Sequence, residues 1–277
     1  MRRNQAFVLL AGVALVAALA ATPALGGSRT SVIYDSTAKN GPPANLPSVG
    51  AEAYAFNELG NLIDFAAGGP RRLGNVTVTL SSWGCVQGHW YSGDCSTRGG
   101  ATFDLPMTLT IYAVGPGDTL GPVLATSTET FSVSYRPSAS PKCTGGRWYS
   151  PGLKTCFNGL AQDFTFGFGG QNVTLPDRVV FGFAYNTTHY GYSPIGESAP
   201  CYTSSGGCGY DSLNIALNTE PPSAGSSADG TLWQNSPYGG EYCDGGVGGT
   251  GTLREDAGCW SPYVPAVQFK ASGGPTG

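Results

Sequence analysis

The chain has 277 residues, with 14 basic against 18 acidic side chains for a net charge of −4, and only 12% of its residues are charged. A charge supply this sparse and acidic provides no basic stripe to neutralise phosphates, which excludes nucleic acid as a partner. The 43 glycines and 20 prolines, with no window of sustained 3.6-residue apolar period, exclude a helical bundle and predict strands separated by many turns.

Arg2 and Arg3 precede an apolar run from Ala6 to Ala21, which gives way to the small residues of Thr22-Pro23-Ala24-Leu25-Gly26. The pattern is that of a secretory signal peptide over 1–26, and the apolar run is shorter than the ~20 residues a bilayer span needs. Its removal leaves 12 basic against 18 acidic side chains, a net of about −6. The closing ASGGPTG is not apolar. The mature protein is therefore expected outside the cell with no membrane anchor.

An exposed lead-in is expected over 27–45, with Val32-Ile33-Tyr34 as an edge strand, followed by one domain over 46–271 and a flexible tail over 272–277. Two early strands, 51–56 and 61–66, are expected to join through Glu58-Leu59-Gly60, with Ile63 and Phe65 inward and Asp64 outward. Val76, Val78 and Leu80 alternate with Thr77, Thr79 and Ser81, and Trp83 falls out of phase, so a bulge or strand end is expected there. Met107, Leu109, Ile111 and Ala113 alternate with polar or amphipathic residues up to the turn Gly115-Pro116-Gly117-Asp118, and Phe131, Val133 and Tyr135 form the hairpin partner. Phe164, Phe166 and Phe168 make another one-faced strand.

Asp177–Thr187 is different, because Val179, Val180, Phe181, Phe183, Ala184 and Tyr185 form a nearly unbroken apolar run. That predicts a central strand covered on both faces. Leu213, Ile215 and Leu217 return the chain to the core, residues 219–260 are mostly loop, and Val267 with Phe269 forms a last strand expected to pair near the N-terminal ones. The predicted fold is all-β: an antiparallel two-sheet β-sandwich, jelly-roll-like, of about ten strands with long disulfide-stapled loops.

Eight cysteines follow the leader: Cys85, Cys95, Cys143, Cys156, Cys201, Cys208, Cys243 and Cys259. An even count in an exported chain reads as disulfides and not as a metal site, and the spacing suggests sequential pairing around four polar, glycine-rich loops. Two loops repeat each other: Cys85-x-x-Gly88-His89-Trp90-Tyr91-Ser92 and Cys143-x-x-Gly146-Arg147-Trp148-Tyr149-Ser150. Their tryptophans are expected either to form aromatic platforms or to fold back as a plug over the sheet edge.

The landmarks AEAYAFNELGNLIDFA, NVTVTLSSWGC, CFNGLAQDFTF, LPDRVVFGFAYNTTHYGYSP, YDSLNIAL and WSPYVPAVQF, in this order, resemble a widespread family of secreted microbial proteins. Some members carry C-terminal surface-sorting tails, which this chain does not match. The resemblance spans nearly all of the mature chain. It implies an extracellular β-sandwich and supplies no catalytic residues to carry over.

Chemistry is sparse. His89 and His189 are loop residues far from any nucleophile-elbow pattern. Gly246–Gly251 matches GxGxxG but lacks the strand before it and helix after it that dinucleotide binding needs, so its glycines are expected to serve turns. The leading expectation is a non-enzymatic binding module for an extracellular glycan or other cell-surface ligand, or a structural and adhesion protein. Sugars stack on aromatic faces, and the loops offer Trp90, Tyr91, Trp148, Tyr149, Tyr190, Tyr192 and Trp233. The alternative is a glycoside hydrolase working with paired carboxylates, but the acids are scattered singly, Asp94, Asp118, Asp163, Asp177 and Asp211 fall at strand ends or turns where Asp is expected anyway, and the only adjacent pair is Glu255-Asp256, so no catalytic residue is assigned. No cofactor is expected beyond a structural calcium ion that Asp244, Glu255 or Asp256 would hold with loop carbonyls. Asn75, Asn172 and Asn186 begin glycosylation sequons.

Overall fold

A computed structural model describes residues 30–273 except 45, 51–53, 55, 91 and 186–212. The leader, Tyr91, Tyr190, Tyr192, His189, Asn186, Asp211 and the Cys201/Cys208 pair lie outside the described residues. In chain order the strands are β1 Thr30–Asp35, β2 Ser48–Gly50, β3 Glu58–Asp64, β4 Arg72–Ser82, β5 Thr102–Val114, β6 Leu120–Ser134, β7 Trp148–Ser150 and β8 Thr155–Phe157. They continue as β9 Leu160–Gly167, β10 Arg178–Tyr185, β11 Leu213–Asn218, β12 Ser226–Ser227, β13 Trp233–Asn235, β14 Arg254–Glu255, β15 Val264–Pro265 and β16 Val267–Ser272.

Two seven-stranded antiparallel sheets pack face to face. One runs β1-β16-β4-β11-β15, with β2 on β11 and β9 on β4; the other runs β14-β13-β3-β10-β5-β6, with β12 on β3. The last strand pairs with both β1 and β4, as expected for one that closes the first core. The long strands are those with period-two apolar patterns. The two- and three-residue strands arise inside loops, where no pattern announces them.

Between the sheets, aromatic rings meet among the aliphatic side chains of the core. The Phe269 ring lies 5.4 Å from Phe65 and 5.7 Å from Phe181, and Phe166 lies 5.9 Å from Phe183. Phe131 of the edge strand β6 meets Phe164 at 5.3 Å and Phe166 at 4.9 Å, which joins the two sheets along one side. The unpaired edge of β6 is covered by side chains: Gln162 bonds both N and O of Ser134, and Gln171 donates to the Thr126 carbonyl. Such covering blunts edge-to-edge association.

The central strand is β10, hydrogen-bonded to β3 on one side and β5 on the other. Val179, Phe181 and Phe183 point into the main core. Val180 points the other way and is also buried, in a smaller cluster with Leu62 of β3 and with Trp233 and Leu253 from the 219–260 segment. Both faces are thus covered, which is why this strand tolerates an unbroken apolar run.

Three expectations are corrected. The 27–45 segment is not an exposed lead-in over its described residues: Ile33 and Tyr34 are fully buried and Ala44 is buried too, next to Leu46, which packs with Ala216 and Ala266. Glu58-Leu59-Gly60 is not a turn but the first half of β3, because Leu59 takes an inward position in its ladder with β10. Thr79 and Ser81, expected outward on an exposed face, are buried. The Thr79 hydroxyl donates to Asp163 at 2.7 Å, and the Trp83 indole N–H donates to the Ser81 hydroxyl at 3.1 Å, so their polarity is met internally. The strand ends at Ser82, and Trp83 lies beyond it.

Candidate functional site

β4 ends, β5 begins, and both β6 and β9 meet the repeated cysteine loops at one end of the sandwich. Cys85–Cys95 and Cys143–Cys156 are bridged, with Cα separations of 5.5 Å and 5.8 Å, and so is Cys243–Cys259 at 5.7 Å. These three sequential pairs are the expected ones. No described cysteine is free.

The first loop closes with reciprocal backbone bonds between Gln87 and Ser96 at 3.0 Å and 2.8 Å. Inside it Asp94 accepts from the His89 N–H at 2.9 Å and from the Ser92 hydroxyl, and these bonds hold its carboxyl below the usual range. The second loop folds into the small hairpin β7–β8. Arg136, fully buried, ties the two together: its backbone N–H donates to Gly84 O at 3.0 Å, and its Nη2 donates to Gly146 O at 2.5 Å. Ala139 N–H bonds Cys95 O, and Ser138 bonds both N and O of Thr97.

Gly146 marks the contact between the loops. A Cβ there would lie 2.6 Å from the Gly93 Cα and 2.9 Å from the Trp90 carbonyl oxygen, and its φ is +66°. Only glycine allows both the approach and the left-handed backbone. The two stapled loops are therefore one block, built on close backbone contacts and the buried Arg136.

The structure places the proposed aromatic residues unequally. Trp148 is buried, its indole N–H donating to Gly159 O at 2.8 Å and its ring 5.3 Å from Phe157. Trp233 is buried in the Val180 cluster, with its N–H 3.0 Å from Asp229 Oδ2. Neither presents a ring face for stacking, which removes both from the ligand-binding residues and gives Trp148 the plug position of the two expected. Trp90 stands edge-on to Trp83 at 4.6 Å and remains half-exposed. Tyr149 is also half-exposed, with Lys142 Nζ 4.8 Å from its ring centroid.

The described acids are mostly committed to other partners. Asp64 and Asp118 flank Arg178 at 2.7 Å and 2.6 Å, and Asp177 pairs with Arg71 at 2.8 Å. Asp244 accepts from Gly246 N–H, Gly248 N–H and Arg254, which together lower its pKa to about 2. Asp256 is buried, accepting from Cys243 N–H at 2.8 Å, from the Trp260 indole at 3.0 Å and from Gln234 Nε2. The expected calcium ion at Asp244, Glu255 or Asp256 is not supported, because Arg254 and two backbone amides already occupy Asp244, and Asp256 with three donors leaves too few free oxygens for an ion that takes six to eight oxygen ligands. The GxGxxG stretch lies in turns and bends between a 3-10 turn and the two-residue β14, with no helix after it.

Burial pushes Glu58 up in spite of the hydrogen bond it accepts from the Tyr112 hydroxyl at 2.9 Å, as it does Asp256, and Glu58 lies over Gly182. Sequence reasoning missed it because it was assigned to a turn. It missed Arg136 and Arg178 too, whose partners are distant in the chain. A separate cleft of 640 Å³ opens beside the 35–46 segment, lined by Asp35, Lys39, Asn218 and Glu220 among others.

Comparison with protein-family models, with curated proteins and with solved structures gives no match to the chain.

Proposed function

We propose that the chain is an exported, non-enzymatic binding module that engages an extracellular glycan or other cell-surface ligand with the stapled-loop end of its sandwich. The observation that carries this reading is the docking of the two repeated loops through Gly146 and Arg136 into one rigid block. Loops fixed in advance lose little entropy on binding, and rigid scaffolds commonly carry recognition on such loops. Half-exposed Trp90 and Tyr149 lie in this block with exposed Ser92 and Asp94, which offers the mixed apolar and polar surface that sugars take. The three bridges agree with an oxidising compartment. The reading sits well with the secreted microbial β-sandwich proteins that the sequence resembles.

The test is retention on a glycan array and on insoluble polysaccharides. Retention by the wild type, lost in Trp90→Ala and in Tyr149→Ala while both variants stay folded at the assay temperature by circular dichroism, is the expected outcome. No retention on any glycan, or retention untouched in both variants, contradicts it.

A further inference from the structure

The loop between Cys243 and Cys259 differs from the other two described bridges in having a buried carboxylate at its sulfurs. Sγ of Cys243, Sγ of Cys259 and a carboxylate oxygen of Asp256 all lie within 4.8 Å of one another. Among the described residues this is the bridge with such a group. We propose that reduction of Cys243–Cys259 creates a binding site for a thiophilic divalent cation of the zinc type, with two thiolates and the Asp256 carboxylate as ligands.

The geometry suits the ion. Two Zn–S bonds of about 2.3 Å at a tetrahedral angle set the sulfurs about 3.8 Å apart, inside the circle the three atoms already share. The Cα atoms are 5.7 Å apart and need not move far. The carboxylate is positioned from behind. Its Oδ2 accepts from Trp260 and Gln234 while Oδ1 accepts only from Cys243 N–H. A carboxylate has about four lone-pair sites, so Oδ1 keeps one for a metal. Donors fixed to the remaining sites are the outer shell that orients a ligating carboxylate.

Access favours this bridge as well. Cys259 is exposed, whereas Cys85 and Cys95 are both buried, so a reductant reaches the 243–259 bridge before the 85–95 one. A dithiol supplies the two electrons and two protons that convert the bridge to two thiols, and is itself oxidised to its disulfide. Binding then releases the two thiol protons to water, and a water molecule fills the fourth position.

The experiment uses the full mature chain, reduced with a dithiol and freed of it under argon. Co2+ titration is expected to give sulfur-to-cobalt charge-transfer absorption in the near ultraviolet, absent from the oxidised protein and from Cys243→Ser/Cys259→Ser. Asp256→Asn is expected to weaken binding by at least the factor that loss of an outer-shell partner causes, about 10–100-fold. Because that variant alters the loop, 113Cd NMR of the unsubstituted reduced chain counts ligands independently, and a shift for two sulfurs with oxygen ligands is expected. Absorption that survives the double variant, a four-sulfur cadmium shift, or no uptake by the reduced chain overturns the proposal.

Discussion

The two loops that share Cys-x-x-Gly-x-Trp-Tyr-Ser place the same tryptophan differently. Trp148 is sealed by a backbone acceptor and by Phe157 within its own hairpin, whereas Trp90 leans on Trp83, which lies before its loop, and stays half-exposed. The repeated motif therefore encodes a plug, and the neighbour it finds decides how much of the ring stays exposed. The glycines differ in the same way. Gly88 fits against the Asp94 backbone of its own loop, while Gly146 fits against the other loop.

Substitution should enlarge this contrast. Trp148→Ala removes a buried indole and orphans the Gly159 carbonyl, so a loss of about 3–5 kcal/mol is expected in urea unfolding. Trp90→Ala, at a half-exposed ring, should cost about 1–2 kcal/mol. Equal losses would mean that the two rings are not differently seated. At the next level, Gly146→Ala combines backbone strain with a clash against Gly93 and should cost about 1–3 kcal/mol. Gly93→Ala meets nothing nearer than 3.6 Å and bears only the left-handed penalty, about 1–2 kcal/mol.

The smallest effect separates this block from the carboxylate-held loop at 243–259. The folded pKa of Asp244, about 2, lies below its ordinary value of 3.8. Its contribution is therefore complete above pH 3.8 and lost as pH falls toward 2. Hydrogen-exchange protection of the Gly246 and Gly248 amides should follow that window, while the Gln87 and Ser96 amides, bonded to backbone carbonyls, should not change across it.

The sequence made the strands readable because half-buried strands repeat every two residues and β10, covered twice, does not. The bridges were readable because each closes over a short polar loop. Loop aromatics were less so. Whether Trp148, Trp233 or Trp90 is covered depends on Gly159, the Val180 cluster and Trp83, and spacing within a motif carries no trace of those contacts. Arg136 gave no signal, since an arginine before a proline at a strand end reads as solvated until the second loop closes over it. The 27–45 segment, with Pro42-Pro43 and many polar residues, concealed the burial of Ile33, Tyr34 and Ala44 behind a loop-like composition.

The central claim is that the repeated loops form one block through Gly93 and Gly146. Nuclear Overhauser contacts between their α-protons in isotopically labelled protein test it most directly. The account predicts a strong contact that is lost in Gly146→Val; its absence in the wild-type protein, with both loops folded and both bridges intact, would contradict it.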